Sequence, residues 1–216
     1  MDILHSTTLP VLVQPGLHGS GDAHWQTLWE RRHPGWQRIE QQDWSVADLD
    51  VWADRLQLAI RGSSAPVLIV AHSFGCLVTA HLGEIFPACI AAALLVAPAN
   101  PEIFGIADRM PQEPLGFPAH VVASRNDPWM PLHLAHDWAL RWNAEFIDIG
   151  EAGHINAESG FGEWPRGLQL LRQLARCAVA PVSTAETGYN PAGTVRFRTS
   201  GYVDAAGGIR TTTHPD

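Results

Sequence analysis

Val67-Leu68-Ile69-Val70-Ala71-His72-Ser73-Phe74-Gly75-Cys76 is the stretch on which the reading of this chain turns. An unbroken apolar run ends on a serine that has a small residue two places to either side, Ala71 and Gly75, and a further apolar stretch follows. Apolar residues without alternation are the pattern of a strand buried on both faces of a parallel sheet. Where such a strand turns sharply into a helix, the turn residue is lifted above the carboxyl edge of the sheet. Small flanks are needed there because backbone passes close to backbone. Ala71 stands where glycine is commonest in this arrangement, and its methyl is tolerated only where tight packing leaves room. Taken alone, the serine reads more readily as a cap on the following helix.

Working outward, short runs rich in Val, Ile and Leu recur at residues 9–13, 91–96 and 121–123, each followed by Gly, Pro, Ser or Asn. Weaker strands are expected at 37–40 and 145–149, carried by Ile39, Phe146, Ile147 and Ile149. Between them, Leu49, Trp52, Ala53, Leu56 and Ile60 share one helical face. Ser45 and Asp48 read as a capping box at its start, and Arg55 and Arg61 fall in later turns, where the macrodipole favours cations. A second helix is predicted from Ser73 towards Phe86, and a last one carries Trp164, Leu168, Leu171, Leu174 and Ala175 on one stripe. This alternation predicts an α/β fold, a doubly wound and mostly parallel sheet of about six strands, in a domain spanning residues 1–178. Residues 179–216 break the pattern. Over 181–216, Leu, Ile, Val and Phe are represented only by Val182, Val195, Phe197, Val203 and Ile209, so a disordered or loosely packed tail is expected.

With 216 residues of which 46% are hydrophobic, the chain is long enough for one substantial core. A formal net charge of -8 and the lack of a basic stripe argue against nucleic acid as a partner. Cys76, Cys89 and Cys177 lack metal-ligand spacing and are odd in number, which reads as reduced packing thiols. The opening Met1-Asp2-Ile3-Leu4-His5 is unlike a signal peptide and no apolar stretch approaches bilayer length. A cytoplasmic protein without membrane association is expected. The nine tryptophans read equally as core packing or as substrate platforms.

A serine is a poor nucleophile until an imidazole takes its proton, and the imidazole in turn needs a carboxylate to fix its tautomer. Two loops offer these partners. Asp127 follows the run ending at Ala123, in Ser124-Arg125-Asn126-Asp127-Pro128, and His154 follows the 145–149 strand, in Gly150-Glu151-Ala152-Gly153-His154. Parallel strands would deliver both loops to the edge that carries Ser73, in the chain order Ser, Asp, His. The catalytic reading is therefore Ser73, Asp127 and His154, with Asp108 as a rival acid in the connection after the 91–96 strand. Charge developing on an attacked carbonyl oxygen needs fixed donors. The backbone N–H groups of Phe74 and of Leu17, in the glycine-rich stretch 14–21, are assigned to that oxyanion hole. This stretch lacks a Walker lysine and the full dinucleotide spacing, so it does not read as a phosphate cradle.

His72 is read as packing beside the turn, since neighbouring side chains at a sharp bend diverge. His133, His136 and Asp137 suggest one turn of metal ligands, but no further ligands cluster with them and no metal is expected. Cys76 is read as a packing residue although a helix start can acidify a thiol. Pro98, Pro101, Pro111, Pro114 and Pro118 break up residues 97–119, which forbids a long lid helix there. Ile103, Phe104, Ile106, Met110, Leu115 and Phe117 are then candidates for one wall of a shallow cleft, with Trp129 and Phe161 as substrate-binding neighbours.

Together, the Pro15-Gly16 loop with His24-Trp25, Ala71-His72-Ser73-Phe74-Gly75, Ser124-Arg125-Asn126-Asp127-Pro128, Gly153-His154-Ile155-Asn156-Ala157 and Gly160-Phe161-Gly162-Glu163-Trp164-Pro165 resemble a known family. It is the small α/β-hydrolase family of retinoblastoma-binding protein nine and the YdeN-like serine hydrolases, and the resemblance covers about residues 9–178. It implies a six-stranded hydrolase core, here without a cap domain, no cofactor, and a triad at Ser73, Asp127 and His154. The expected activity is hydrolysis of a small-molecule ester or amide. The alternative is a non-catalytic or weakly active interaction module on the same fold, which three side chains in the required order argue against. No Leu-x-Cys-x-Glu motif occurs, so a pocket-protein partner is not supported and protein partners stay open.

Overall fold

The computed structural model describes residues 9–179 and two short strands further on, Tyr202–Val203 and Ile209–Arg210. In chain order the elements are β1 (Val11–Gln14), α1 (Trp25–Arg32), β2 (Gln37–Arg38), α2 (Leu49–Gly62), β3 (Val67–His72) and α3 (Phe74–Ile85). A three-residue turn of 3₁₀ helix, Pro87–Cys89, leads into β4 (Ile90–Val96), and a second, Ala107–Arg109, lies in the connection to β5 (Ala119–Ala123). Then come α4 (Leu132–Arg141), β6 (Glu145–Asp148) and α5 (Pro165–Val179). The strands form one sheet in the order β2-β1-β3-β4-β5-β6, and every pairing in it is parallel.

Alternation within β3 explains why both faces are covered. Ile69 and Ala71 point into a core shared with Leu56 and Ile60 of α2, Leu77 of α3 and Trp138 of α4. Leu68 and Val70 point the other way, against Trp25 and Trp29 of α1 and Leu171 and Leu174 of α5. All four strand residues are fully buried, the state that their continuous apolar pattern anticipates. Buried Gln26 joins the layers by donating from Nε2 to the carbonyls of Gln14 (3.3 Å) and Val70 (3.0 Å), at the carboxyl ends of β1 and β3.

Two details differ from expectation. Asp48 caps α2 by itself, its Oδ1 accepting from the N–H groups of Asp50 (3.0 Å) and Val51 (3.1 Å). Ser45 lies three residues too early to cap and donates instead to Asp43 Oδ1, so there is no capping box. The stripe assigned to the last helix is buried as expected, but Trp164 precedes the helix, which starts at Pro165, the one residue that loses nothing at a first helical position.

Beyond residue 179 the strands Tyr202–Val203 and Ile209–Arg210 (β7 and β8) pair antiparallel, in a separate unit from the sheet. The rest of the tail lies outside the described residues. Among the described residues, no helix is long and apolar enough to cross a membrane. Because the six strands run the same way, the segments after β1, β3, β5 and β6 all emerge at one edge of the sheet.

Candidate active site

Ser73 occupies the turn between β3 and α3 with φ 53 and ψ -123, backbone that an L-residue adopts only when its surroundings enforce it. The enforcement is visible in two glycines. A Cβ on Gly16 would lie 2.6 Å from Ser73 Cβ, and one on Gly75 would fall on the carbonyl oxygens of Gln14 and Pro15. The β1 loop and the β3 turn are therefore in backbone contact, and glycine is required at both positions. Ala71, the departure noted in the sequence, has its methyl fully buried in the core. The Ser73 side chain makes no cap bond to α3, which sets aside the reading of Ser73 as a simple cap.

His154 Nε2 stands 2.9 Å from Ser73 Oγ, and His154 Nδ1 stands 2.9 and 3.0 Å from the two carboxylate oxygens of Asp127. A carboxylate only accepts, so the ring hydrogen sits on Nδ1 and Nε2 is free to accept from the serine hydroxyl. The Asp127 side chain is 2% exposed and also accepts the Trp129 N–H at 2.9 Å, which fixes its plane. The structure thus brings together three residues more than 25 positions apart in the chain. Asp108, the rival acid, lies exposed on the 3₁₀ turn at Ala107–Arg109, and among the described residues it is Asp127 that the His154 ring bonds.

The loops bearing acid and base are stapled to each other. Asn126 Oδ1 accepts from Ser124 Oγ (2.9 Å) and from the Gly153 N–H (2.7 Å), while Ser124 Oγ accepts the Ala152 N–H (2.9 Å). Arg125 pairs with Asp148 at 2.8 Å, and the Gly150 N–H, with Arg125 second, holds that carboxyl below its ordinary value. Two further histidines stand behind the base. His72 is 4.8 Å from His154 between ring centroids, and His24 is 4.8 Å from His72. Burial pushes His72 well below its ordinary value; His24 falls to about 3, from burial first and then from Arg38 and His154. Both are neutral imidazoles at any working pH, and His24 Nδ1 caps α1 by accepting from the Gln26 N–H (3.2 Å).

Ser73 and His154 open on a cavity of about 560 Å³. Leu17, Ala99, Ile103, Phe104 and Trp129 give its lining apolar surface, His18, Asp22, Asn156 and Glu158 give it polar groups, and among the described residues no Lys or Arg lines it. Trp129 is at the mouth, 51% exposed, whereas Phe161 is not part of this wall and packs edge-on against Trp164. Of the other candidates for the wall, Met110, Leu115 and Phe117 are buried in the core and do not reach the cavity. Among the described residues the N–H groups of Leu17 and Phe74 donate to no other protein group, which leaves both available to a ligand. Burial drives the Cys76 thiol well above its ordinary value, with its Sγ 3.4 Å from the Val96 carbonyl, so it is a packing group. His136 lies edge-on to Phe146, and among the described residues no three His, Cys, Asp or Glu side chains are grouped to hold a metal ion.

Sequence reasoning did not find Gln26, Ser159 or the staple through Ser124 and Asn126. Ser124 and Asn126 at least lie within a segment that carries the family resemblance, whereas Gln26 and Ser159 fall just outside those segments and carried no signal.

A six-stranded parallel sheet between helical layers, with a serine on the strained turn after its third strand, is the α/β-hydrolase fold. Residues 11–173 match the family described as serine hydrolase, and the chain belongs to that family. Among solved structures, a YdeN-like hydrolase from Pectobacterium atrosepticum shares 44% identity at a TM-score of 0.79, over 82% of this chain and 95% of that one. The ydeN gene product of B. subtilis is similar at 20% identity and a TM-score of 0.63, over 77% and 98% of the two chains. A thermophilic esterase from Thermogutta terrifontis shares the fold at 15% identity and a TM-score of 0.59, over 80% and 91%. A search of curated proteins returns no match.

Proposed function

We propose that this chain hydrolyses small, uncharged carboxylic esters or amides by acyl transfer to water, with Ser73 as nucleophile, His154 as general base and Asp127 as the orienting acid. The observation that carries this reading is the continuous hydrogen-bonded line from Ser73 Oγ through His154 to Asp127 at the floor of the cavity. In the first half-reaction Ser73 Oγ bonds to the substrate carbonyl carbon as its proton passes to His154 Nε2. Asp127 stabilises the imidazolium, and the N–H groups of Leu17 and Phe74 hold the oxyanion. Collapse breaks the bond to the alcohol or amine, which leaves with the proton from His154. Water, deprotonated by the same nitrogen, then attacks the acyl-serine, and the proton returns to Ser73 as the acid departs. The cavity volume supports a small substrate, and walls without Lys or Arg give a carboxylate-bearing acyl group no counter-ion. No cofactor enters this scheme.

A fluorophosphonate probe, which phosphonylates activated serines, tests the assignment. Wild type should be labelled at Ser73, Ser73→Ala should not, and short acyl esters should be turned over only by the former. Equal labelling of both proteins would remove Ser73 from the mechanism.

A further inference from the structure

The backbone of His154 is held on both sides of its Cα by side chains that the acyl-transfer scheme does not use. Its carbonyl lies 2.9 Å from His72 Nε2, and its N–H donates to Ser159 Oγ at 3.1 Å. A carbonyl oxygen only accepts, so His72 carries its ring hydrogen on Nε2, and burial prevents a second proton from joining it. The ring of His72 lies 4.8 Å from those of both His24 and His154 and is buried beside them. Ser159 Oγ is itself oriented, donating to Asn156 Oδ1 at 2.9 Å and presenting a lone pair to the His154 N–H. One residue on, Trp25 Nε1 donates to the Ile155 carbonyl at 2.8 Å.

The backbone being gripped is strained. Ile155 has a φ of 48, in the left-handed region where a β-branched side chain is a genuine outlier. Such a conformation is costly and persists only where neighbouring contacts over-determine it. Freed of its partners, the segment would relax towards negative φ and carry the His154 imidazole with it.

We infer that His72 and Ser159 are positioning residues: by bonding the two peptide groups that flank the His154 Cα they hold a strained loop in place and keep Nε2 on Ser73 Oγ. The inference rests on the acyl-transfer reading of Ser73 and His154. It gives the histidine beside the nucleophile a task other than proton transfer, and it predicts that the N–H of His72 matters more than its ring.

The test is steady-state hydrolysis of p-nitrophenyl acetate and fluorophosphonate labelling rate, measured on the full chain, with circular dichroism and thermal melting to verify folding. His72→Met keeps the bulk and removes the donor; His72→Gln places an amide N–H at a similar reach. A misplaced base costs about 100-fold, so His72→Met should lose about that much kcat with KM within about threefold, and His72→Gln should recover to within about fivefold of wild type. Ser159→Ala strands the His154 N–H and should cost kcat about tenfold. Wild-type kcat in folded His72→Met, or equal losses in the Met and Gln variants, would overturn the inference while leaving Ser73 labelled and the triad intact. If His72→Met does not fold, wild-type turnover by Ser159→Ala overturns it. A wild-type chain that neither turns over ester nor labels at Ser73 fails the underlying reading instead.

Discussion

Asp127 and Asp108 show what a single residue's surroundings decide. Both follow the carboxyl end of a strand, and chain order alone admits either as partner to the imidazole. What separates them is invisible in the sequence. Pro128 and the Trp129 N–H close a short turn over Asp127, presenting both its oxygens to His154 Nδ1, whereas Asp108 sits exposed on a 3₁₀ turn. Asp127→Asn replaces one oxygen by a donor and forces the imidazole towards the wrong tautomer, for which the expected loss of kcat is about four orders of magnitude. Asp108→Asn changes an exposed side chain and should leave kcat within about twofold. Steady-state kinetics on one short ester decide it; comparable losses in the two variants would reopen the identity of the acid. Trp129 and Phe161 make the same point, since both are aromatic and follow site residues. Only Trp129 stands on the cavity wall, because Phe161 has the Trp164 ring to pack against.

At the scale of elements, the central strands were legible and two helices were not. The strands β3, β4 and β5 are buried on both faces, so their apolar runs have no competing explanation. The helix α1 spans eight residues and buries Trp25, Gln26 and Trp29, a pattern too short and too polar to show a period. In α4 the inner face is Ala135, Trp138 and Ala139, where small residues carry little hydrophobic signal. The connection between β4 and β5 was legible through its prolines: its only helical turn is the three-residue Ala107–Arg109. It therefore supplies Ile103 and Phe104 to the cavity without roofing it, and Ile103 and Trp129 remain 57% and 51% exposed. An acyl chain gains ~0.8 kcal/mol per methylene only while each methylene leaves water. In a p-nitrophenyl ester series, kcat/KM should peak at short acyl lengths and then level or fall. A steady rise to long chains would show that this wall continues further than the cavity suggests.

Across the whole molecule, the fold and the three aligned side chains were legible because each rests on local pattern. The supports behind His154 were not: Trp25 with Ile155 and His72 with His154 join segments more than 80 residues apart, and the nearer bond from the His154 N–H to Ser159 lies in a loop with no periodicity to announce it. That assembly leaves a signature in the stability of the entire chain. His24 and His72 are buried neutral, the first at about 3 and the second well below its ordinary 6.5, and burial also lowers His120. In the unfolded chain each titrates near 6.5, so between that value and the folded one the unfolded state binds more protons. Stability then rises with pH across this window: it is complete above about pH 6.5 and is lost as pH falls towards 3. His24, whose folded value is about 3, contributes a slope of up to about 1.4 kcal/mol per pH unit. His24→Asn removes one of them while keeping a residue able to cap α1. Urea unfolding at pH 7.5, 6 and 5 should show a steep loss for wild type and a shallower one for His24→Asn, and parallel curves would mean that His24 is protonated in the folded chain.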